Sequence, residues 1–157
     1  MPNNGERLEL GDFLPYRLSV LTNRVSAAIA RQYAERFDLT PAEWRVMAAL
    51  GNMPGLSSRE VAARTAMDKV QVSRAVARLV VSGRLARAVD ASDGRIARLS
   101  LSASGRAIYR KIVPQALQIE AQLVEPLSGT ERDQFHRILA KLDRQIDVLT
   151  REPEKEL

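Results

Sequence analysis

The sequence predicts a mainly α-helical chain that carries one small β-hairpin. Three observations lead there. Cap signatures at Thr40, Ser57, Asp68 and Ser128 each place a Glu or Gln three residues later, ahead of an apolar pattern, which marks a helix start. Turn chemistry from Asp90 to Gly94 separates two short strand-like runs, Leu85–Val89 and Ile96–Leu101. Long stretches before Thr40 and after Ser102 repeat apolar residues every three or four positions, the period of a helix with one buried face.

Composition narrows the class. A chain of 157 residues with 45% hydrophobic content is one domain, or two small lobes sharing a core. It has no apolar run near the ~20 residues that span a bilayer. The opening MPNNGERLELGD lacks the apolar centre of a signal peptide, so a cytoplasmic location is expected. Cysteine is absent, which removes disulfides and thiolate metal sites, and a single histidine, His136, cannot build a zinc site alone. No metal and no cofactor are expected. No glycine-rich phosphate loop or paired carboxylates stand out, so enzymatic chemistry is not expected either; His136 lies on an amphipathic pattern as a surface or interface histidine.

Each element has a local cause. Residues 1 to about 11 read as a frayed arm. A helical pattern then runs from Asp12, as N-cap, to about Phe37, with Leu14, Leu18, Leu21, Val25 and Ile29 on one stripe. A helix so long has little core of its own to lie against, so part of it is expected to pack on a second subunit. Thr40-Pro41-Ala42-Glu43 combines a capping box with proline at the first helical position. The helix it opens carries Trp44, Val46, Met47 and Leu50 and is expected to stop near Gly51. A short helix follows from the Ser57 box to about Thr65, and another from Asp68 to Gly83. With the hairpin behind them, these three helices make a winged helix-turn-helix. Ser102 caps a helix to about Glu125, interrupted by Pro114 and ended by Pro126. The last helix, from Ser128, shows Phe135, Ile138, Leu139, Leu142, Ile146 and Leu149 at 3/4 spacing, and the tail from Arg151 is polar. Three regions result: an arm and dimerisation helix (1–37), a winged lobe (38–102) and C-terminal dimerisation helices (103–157). Phe135, Leu139, Leu142, Ile146 and Leu149 are the expected dimer contacts.

Charge singles out the lobe. Residues 56–102 hold nine bases against four acids, a net charge equal to the +5 of the whole chain. A field so concentrated suits a polyanion. On the helix from Lys69 to Ser82, Val72, Val76 and Leu79 share the face that packs inward. Lys69, Val70, Gln71, Ser73, Arg74, Ala77 and Arg78 lie on the other side. Small Ser73 and Ala77 let a helix approach a groove, Arg74 and Arg78 reach guanine edges or phosphates, and Val70 or Ala77 meets a thymine methyl. Ser57, Arg87 and Arg98 extend the expected DNA-contact surface. At the hairpin tip Arg95 suits the narrow minor groove, while Asp93 orders the turn or steers Arg95. Double-stranded DNA is therefore the expected partner.

These pieces together resemble the MarR family of bacterial transcription regulators. The resemblance rests on Leu39-Thr40-Pro41-Ala42-Glu43-Trp44-Arg45-Val46, Leu56-Ser57-Ser58-Arg59-Glu60-Val61-Ala62, Lys69-Val70-Gln71-Val72-Ser73-Arg74, the wing sequence Asp90-Ala91-Ser92-Asp93-Gly94-Arg95, and Leu101-Ser102-Ala103-Ser104-Gly105. It spans about residues 13 to 150. One departure is Gly94, where many relatives carry a second arginine. The resemblance implies a triangular homodimer on a pseudo-palindromic operator, with half-sites about one helical turn, ~34–36 Å, apart. It also implies a small effector, often an aromatic acid, bound between the helical region and the lobe, which acts only through different affinity for two lobe spacings. Tyr16, Arg17, Trp44, Met47 and Tyr109 fall on the helices that line the family's pocket, and Arg17 or Arg45 would meet a carboxylate. Trp44 and Met47 also fit as core. The opening LPYRLSVLTNRV resembles a branch some of whose members answer to aromatic acids or their thioesters.

Two other classes compete. A winged helix used for protein–protein contact would not need a cationic wing tip. An architectural DNA binder would lack operator preference. Binding that falls with salt by ~0.9 log units per neutralised phosphate separates the first, and competition with random DNA separates the second.

Overall fold

The computed structural model describes residues 8–151; the expected arm before Leu8 and tail after Arg151 lie outside them. The element order is α1 (Leu14–Ala30), α2 (Ala34–Phe37), α3 (Pro41–Asn52), α4 (Ser58–Thr65), α5 (Lys69–Val81), β1 (Leu85–Val89), β2 (Ala97–Leu101), α6 (Ala103–Val124) and α7 (Gly129–Thr150). The chain is mainly α with one antiparallel hairpin, as expected. Packing divides it at Leu117/Gln118, inside α6.

In the first unit α3, α4 and α5 pack on one another, and the hairpin packs on all three. The expected caps form. The Thr40 and Ser57 side chains accept the Glu43 and Glu60 N–H groups, and each glutamate accepts the N-cap N–H in return. Asp68 accepts the Gln71 N–H at 2.7 Å without a reciprocal bond. These caps satisfy backbone donors that short helices leave open. Val46, Met47, Leu50, Val61, Val72, Val76, Leu79, Leu99 and Ile112 fill the core, each at 1% exposure or less. Tyr33 and Ile112, from outside residues 38–102, belong to that same core.

Strands β1 and β2 pair in register from Leu85↔Leu101 to Val89↔Ala97. A bridge that the sequence did not announce joins Leu56 to Leu99, with the Leu99 N–H on the Leu56 carbonyl at 2.9 Å and the Gly55 N–H on the Leu99 carbonyl at 2.8 Å. The helix-turn-helix and the wing are thereby tied through the backbone. At the root of the hairpin α6 comes so close that a Cβ on Gly105 would lie 2.1 Å from the Arg84 carbonyl oxygen.

Four local expectations need correction. The first long helix is broken: Gln32 and Tyr33 donate to the carbonyls of Ile29 and Ala30, and α2 follows as a separate turn. Tyr33, 2% exposed, swings into the core, which a straight helix would not allow. Asp38 then closes α2 in the left-handed region at φ 49°, and the Arg84 guanidinium donates to the Phe37 and Asp38 carbonyls. Second, Phe13 rather than Asp12 is the N-cap of α1, with Pro15 in the first turn and no side-chain cap. Third, α3 runs through Gly51, whose hydrogen faces the Tyr109 ring; a Cβ there would lie 2.5 Å from ring carbons. Fourth, α5 ends at Val81, and Gly83 makes the turn at φ 70°.

In the second unit the Ser128 box opens α7 with both reciprocal bonds. Arg132 Nε donates to the Val124 and Leu127 carbonyls at 3.1 Å, closing the turn that precedes it. No residue of α7 is buried within the chain.

Candidate nucleic-acid interface

Helix α5 buries Val72, Ala75, Val76 and Leu79 and leaves Lys69, Val70, Gln71, Ser73, Arg74, Ala77 and Arg78 exposed. That division follows from the 3.6-residue period. Val70 keeps 57% of its surface exposed, an uncommon state for an aliphatic residue on a helix with a core to join. On the hairpin Arg87, Asp93 and Arg95 are exposed, while Ser57 is half-buried at the α4 cap. Among the described residues the guanidinium groups of Arg74, Arg87 and Arg95 enter no hydrogen bond or ion pair. Cations left free of internal partners remain available to an external anion.

Two arginines expected on this surface are committed differently. Arg98 binds Asp90 through Nε, and through Nη1 it reaches Glu60 Oε2 at 2.9 Å and the Gly55 carbonyl at 3.3 Å. It is a clasp at the wing root, an internal engagement that the expectation of a DNA contact did not include. Arg78 remains exposed, yet its Nε lies 2.9 Å from Glu43 Oε1, a carboxylate that is itself buried.

Asp90 organises the wing, a role the sequence reading gave to turn chemistry in general. Its Oδ1 accepts the Ser92 hydroxyl at 2.6 Å and the Ser92 and Asp93 N–H groups at 2.8 and 3.0 Å, and its Oδ2 accepts Arg98. The Ser92 hydroxyl, then Arg98 and the two backbone donors, hold the Asp90 carboxyl well below the usual carboxylate range. Asp93 orders the tip in turn, accepting the Arg95 N–H at 3.0 Å, which meets the first of the two expectations for it. A carboxylate just past the end of one strand, eight positions before an arginine on the other, is the signal that would have exposed the clasp.

The six residues expected around an effector do not line one cavity. Trp44 and Arg45 border a cleft of about 610 Å³ together with Asn52, Met53, Arg64 and Thr65. Tyr16 and Arg17 border a separate one of about 270 Å³ on α1. Met47 is 0% exposed and belongs to the core, which corrects its place in the pocket. Tyr109 stacks on Trp44 with ring centroids 6.0 Å apart, and Tyr33 lies 5.6 Å from Trp44 on its other contact. Burial raises the Tyr33 hydroxyl above its ordinary pKa, partly opposed by the Arg45 charge. Arg64, which the sequence reading left out, adds a second cation to the larger cleft.

The cap-opened helices, the packed hairpin and the free cations on both now stand beside known proteins. Residues 37–96 match the family model for the MarR family. An HTH-type transcriptional repressor of Mycobacterium tuberculosis is 30% identical over 131 residues, covering 83% of this chain and 91% of that protein. The chain belongs to the MarR family. A crystal structure of a probable transcriptional regulator from Pseudomonas aeruginosa aligns with TM-score 0.74 at 30% identity, covering 85% of this MarR chain and 99% of that one. A structure of Bordetella bronchiseptica BpsR, whose DNA binding is regulated by 6-hydroxynicotinic acid, aligns with TM-score 0.77 at 26% identity over 88% of this chain and 98% of its own. As a MarR protein the chain is a DNA-binding transcriptional regulator and not an enzyme. No helix among the described residues is long and apolar enough to cross a membrane.

Proposed function

We propose that this MarR protein is a cytoplasmic homodimeric repressor that reads a pseudo-palindromic operator and is released by a small aromatic acid. The observation that carries the reading is the pairing of free cations on α5 and the wing with a stretch, residues 56–102, whose net charge equals the +5 of the whole chain. Lys69, Gln71, Ser73, Arg74, Ala77 and Arg78 enter the major groove, with Val70 against a thymine methyl. Arg87 and Arg95 take backbone and minor-groove phosphate contacts, and Ser57 adds a contact at the α4 start. Residues 38–102 act as the reading lobe, and 1–37 with 103–157 as the dimerisation region.

Dimerisation is supported by the apolar stripe on α7: Phe135, Leu139, Leu142, Ile146 and Leu149 are 36–69% exposed in the single chain. Leu14, Leu18 and Leu21 on α1 are exposed as well. A row of large apolar side chains left exposed along one helix marks a protein interface. Effector release is supported by the Trp44–Arg45–Arg64 cleft, where an aromatic wall stands beside two cations. The regulation of the Bordetella relative by an aromatic acid supports the same ligand class.

The test is fluorescence anisotropy of a labelled duplex, enriched from a random pool by the protein itself, at a series of salt concentrations. A slope of several log units per log unit of salt, and preference over random duplex, is expected. A flat salt dependence would remove the interface. Adding 6-hydroxynicotinic acid or benzoate-type acids should raise the melting temperature and lower operator affinity together; a melting shift without loss of DNA binding would reject the effector role.

A further inference from the structure

Glu43 is the only charged residue in the core of the described residues, at 2% exposure. Buried carboxylates are rare because losing water costs several kcal/mol unless the charge is answered. A helix cap does not require it, since Ser57 and Ser128 are answered equally well by the exposed Glu60 and Glu131. What distinguishes Glu43 is its second oxygen. Oε2 accepts the Thr40 N–H at 3.1 Å, while Oε1, the buried oxygen, faces Arg78 Nε at 2.9 Å across the gap between α3 and α5. Oε1 accepts no hydrogen bond, so the Arg78 charge is the partner that answers it among the described residues.

The two side chains are unequal: Arg78 is 60% exposed and Glu43 3%. The buried partner is fixed by its own helix cap and by the core, so the exposed one is the group being held. Only Nε is engaged; the two Nη groups of Arg78 make no bond within the described residues. An arginine pinned at Nε presents its terminal nitrogens as a preset fork, with less side-chain freedom to lose on binding.

We propose that Glu43 is a positioning residue for DNA recognition, holding Arg78 on α5 in the pose that meets the operator. This rests on the DNA-interface reading above and adds a buried residue of α3 to the determinants of affinity and sequence preference. A free Lys at position 78 could not substitute, because it lacks the second donor set.

The experiment is a double-mutant cycle in the full chain with the enriched duplex and a random duplex. Glu43→Gln keeps the cap, because glutamine serves a capping box as well, and removes the charge that holds Arg78. It is expected to weaken operator binding roughly three- to tenfold, on the scale of part of one base contact, with the melting temperature near that of the parent. In an Arg78→Ala background the same change should have no further effect. Thr40→Ala, which damages the cap and spares the ion pair, should lower melting temperature and leave operator preference intact. Unchanged or tighter binding in Glu43→Gln, or losses that simply add to those of Arg78→Ala, would overturn the inference. Should Arg74→Ala and Arg78→Ala both leave binding untouched, the DNA interface on α5 falls and this inference with it.

Discussion

Helices α5 and α7 start alike and finish differently. Each opens on a capped first turn, Asp68 on Gln71 in one and Ser128 on Glu131 in the other. Each repeats apolar residues every three or four positions. In α5 that stripe is closed, with Val72, Val76 and Leu79 at 1% exposure. In α7 it is open, from 36% at Leu142 to 69% at Leu149. Periodicity thus foretells that a face will be covered but says nothing of whether the cover lies in the same chain. Helix α5 finds its cover in α3 and α4 and leaves its other face open, the face proposed above to meet DNA, whereas α7 leaves its apolar face uncovered, the face proposed to meet a second copy.

The strongest way to break this contrast is to place a charge on each stripe. Val76→Asp puts an unpaired carboxylate in a dry core, a cost of several kcal/mol that should abolish the cooperative melt of the lobe. Leu142→Asp should leave helix content near the parent's and reduce the sedimentation mass to that of a single chain. A dimer surviving Leu142→Asp would assign the interface to α1 or α6 instead. Glycines offer the next contrast. Gly105→Ala would drive a Cβ to 2.1 Å from backbone oxygen, and should lower stability at the upper end of the ~1–3 kcal/mol typical of overpacking. Gly129→Ala, with nothing within 4 Å, should change the melting temperature little.

The outward face of α5 is tested by binding rather than melting. Arg74→Ala is expected to cost ~1–3 kcal/mol on the preferred operator and less on random DNA if it reads a guanine; equal losses on both would make it a phosphate contact. Arg95→Ala should keep the fold and lower the salt slope by about 0.9.

The smallest effect concerns acid. Asp90, Glu60 and Glu131 all sit below their ordinary pKa, Asp90 chiefly through the Ser92 hydroxyl and the two glutamates through the Ser57 and Ser128 N–H groups. A depressed carboxyl contributes its stability in full above its unfolded pKa, about 3.9 for Asp and 4.3 for Glu, and loses it as pH falls toward the folded value. Amide exchange in the wing, corrected for the intrinsic pH effect, should therefore hold steady from neutrality to about pH 5 and quicken below about pH 4. Asp90→Asn should remove much of that acid dependence.

Local sequence carried most of the fold. Caps, turn residues and apolar spacing located every helix from α3 to α7 and both strands, because each signal acts within a few residues. Long-range demands went unseen. The break before α2 is imposed by Tyr33 entering a core built from distant helices, and Gly51 serves Tyr109 from 58 positions away rather than ending a helix. The exposed face of α5 was legible for the same reason as its core face. The engagement of Arg98 with Glu60 and of Arg78 with Glu43 was not, since charge counting treats every surface arginine alike.

Trp44 is the sole tryptophan of the chain, with the rings of Tyr33 and Tyr109 close to its own, at the rim of the cleft that Arg45 and Arg64 line. Its emission therefore reports on one place with no competing fluorophore of its kind. The aromatic acid proposed above, settling beside Arg45 and Arg64, would quench or shift that light directly, so its occupancy could be followed optically with no label.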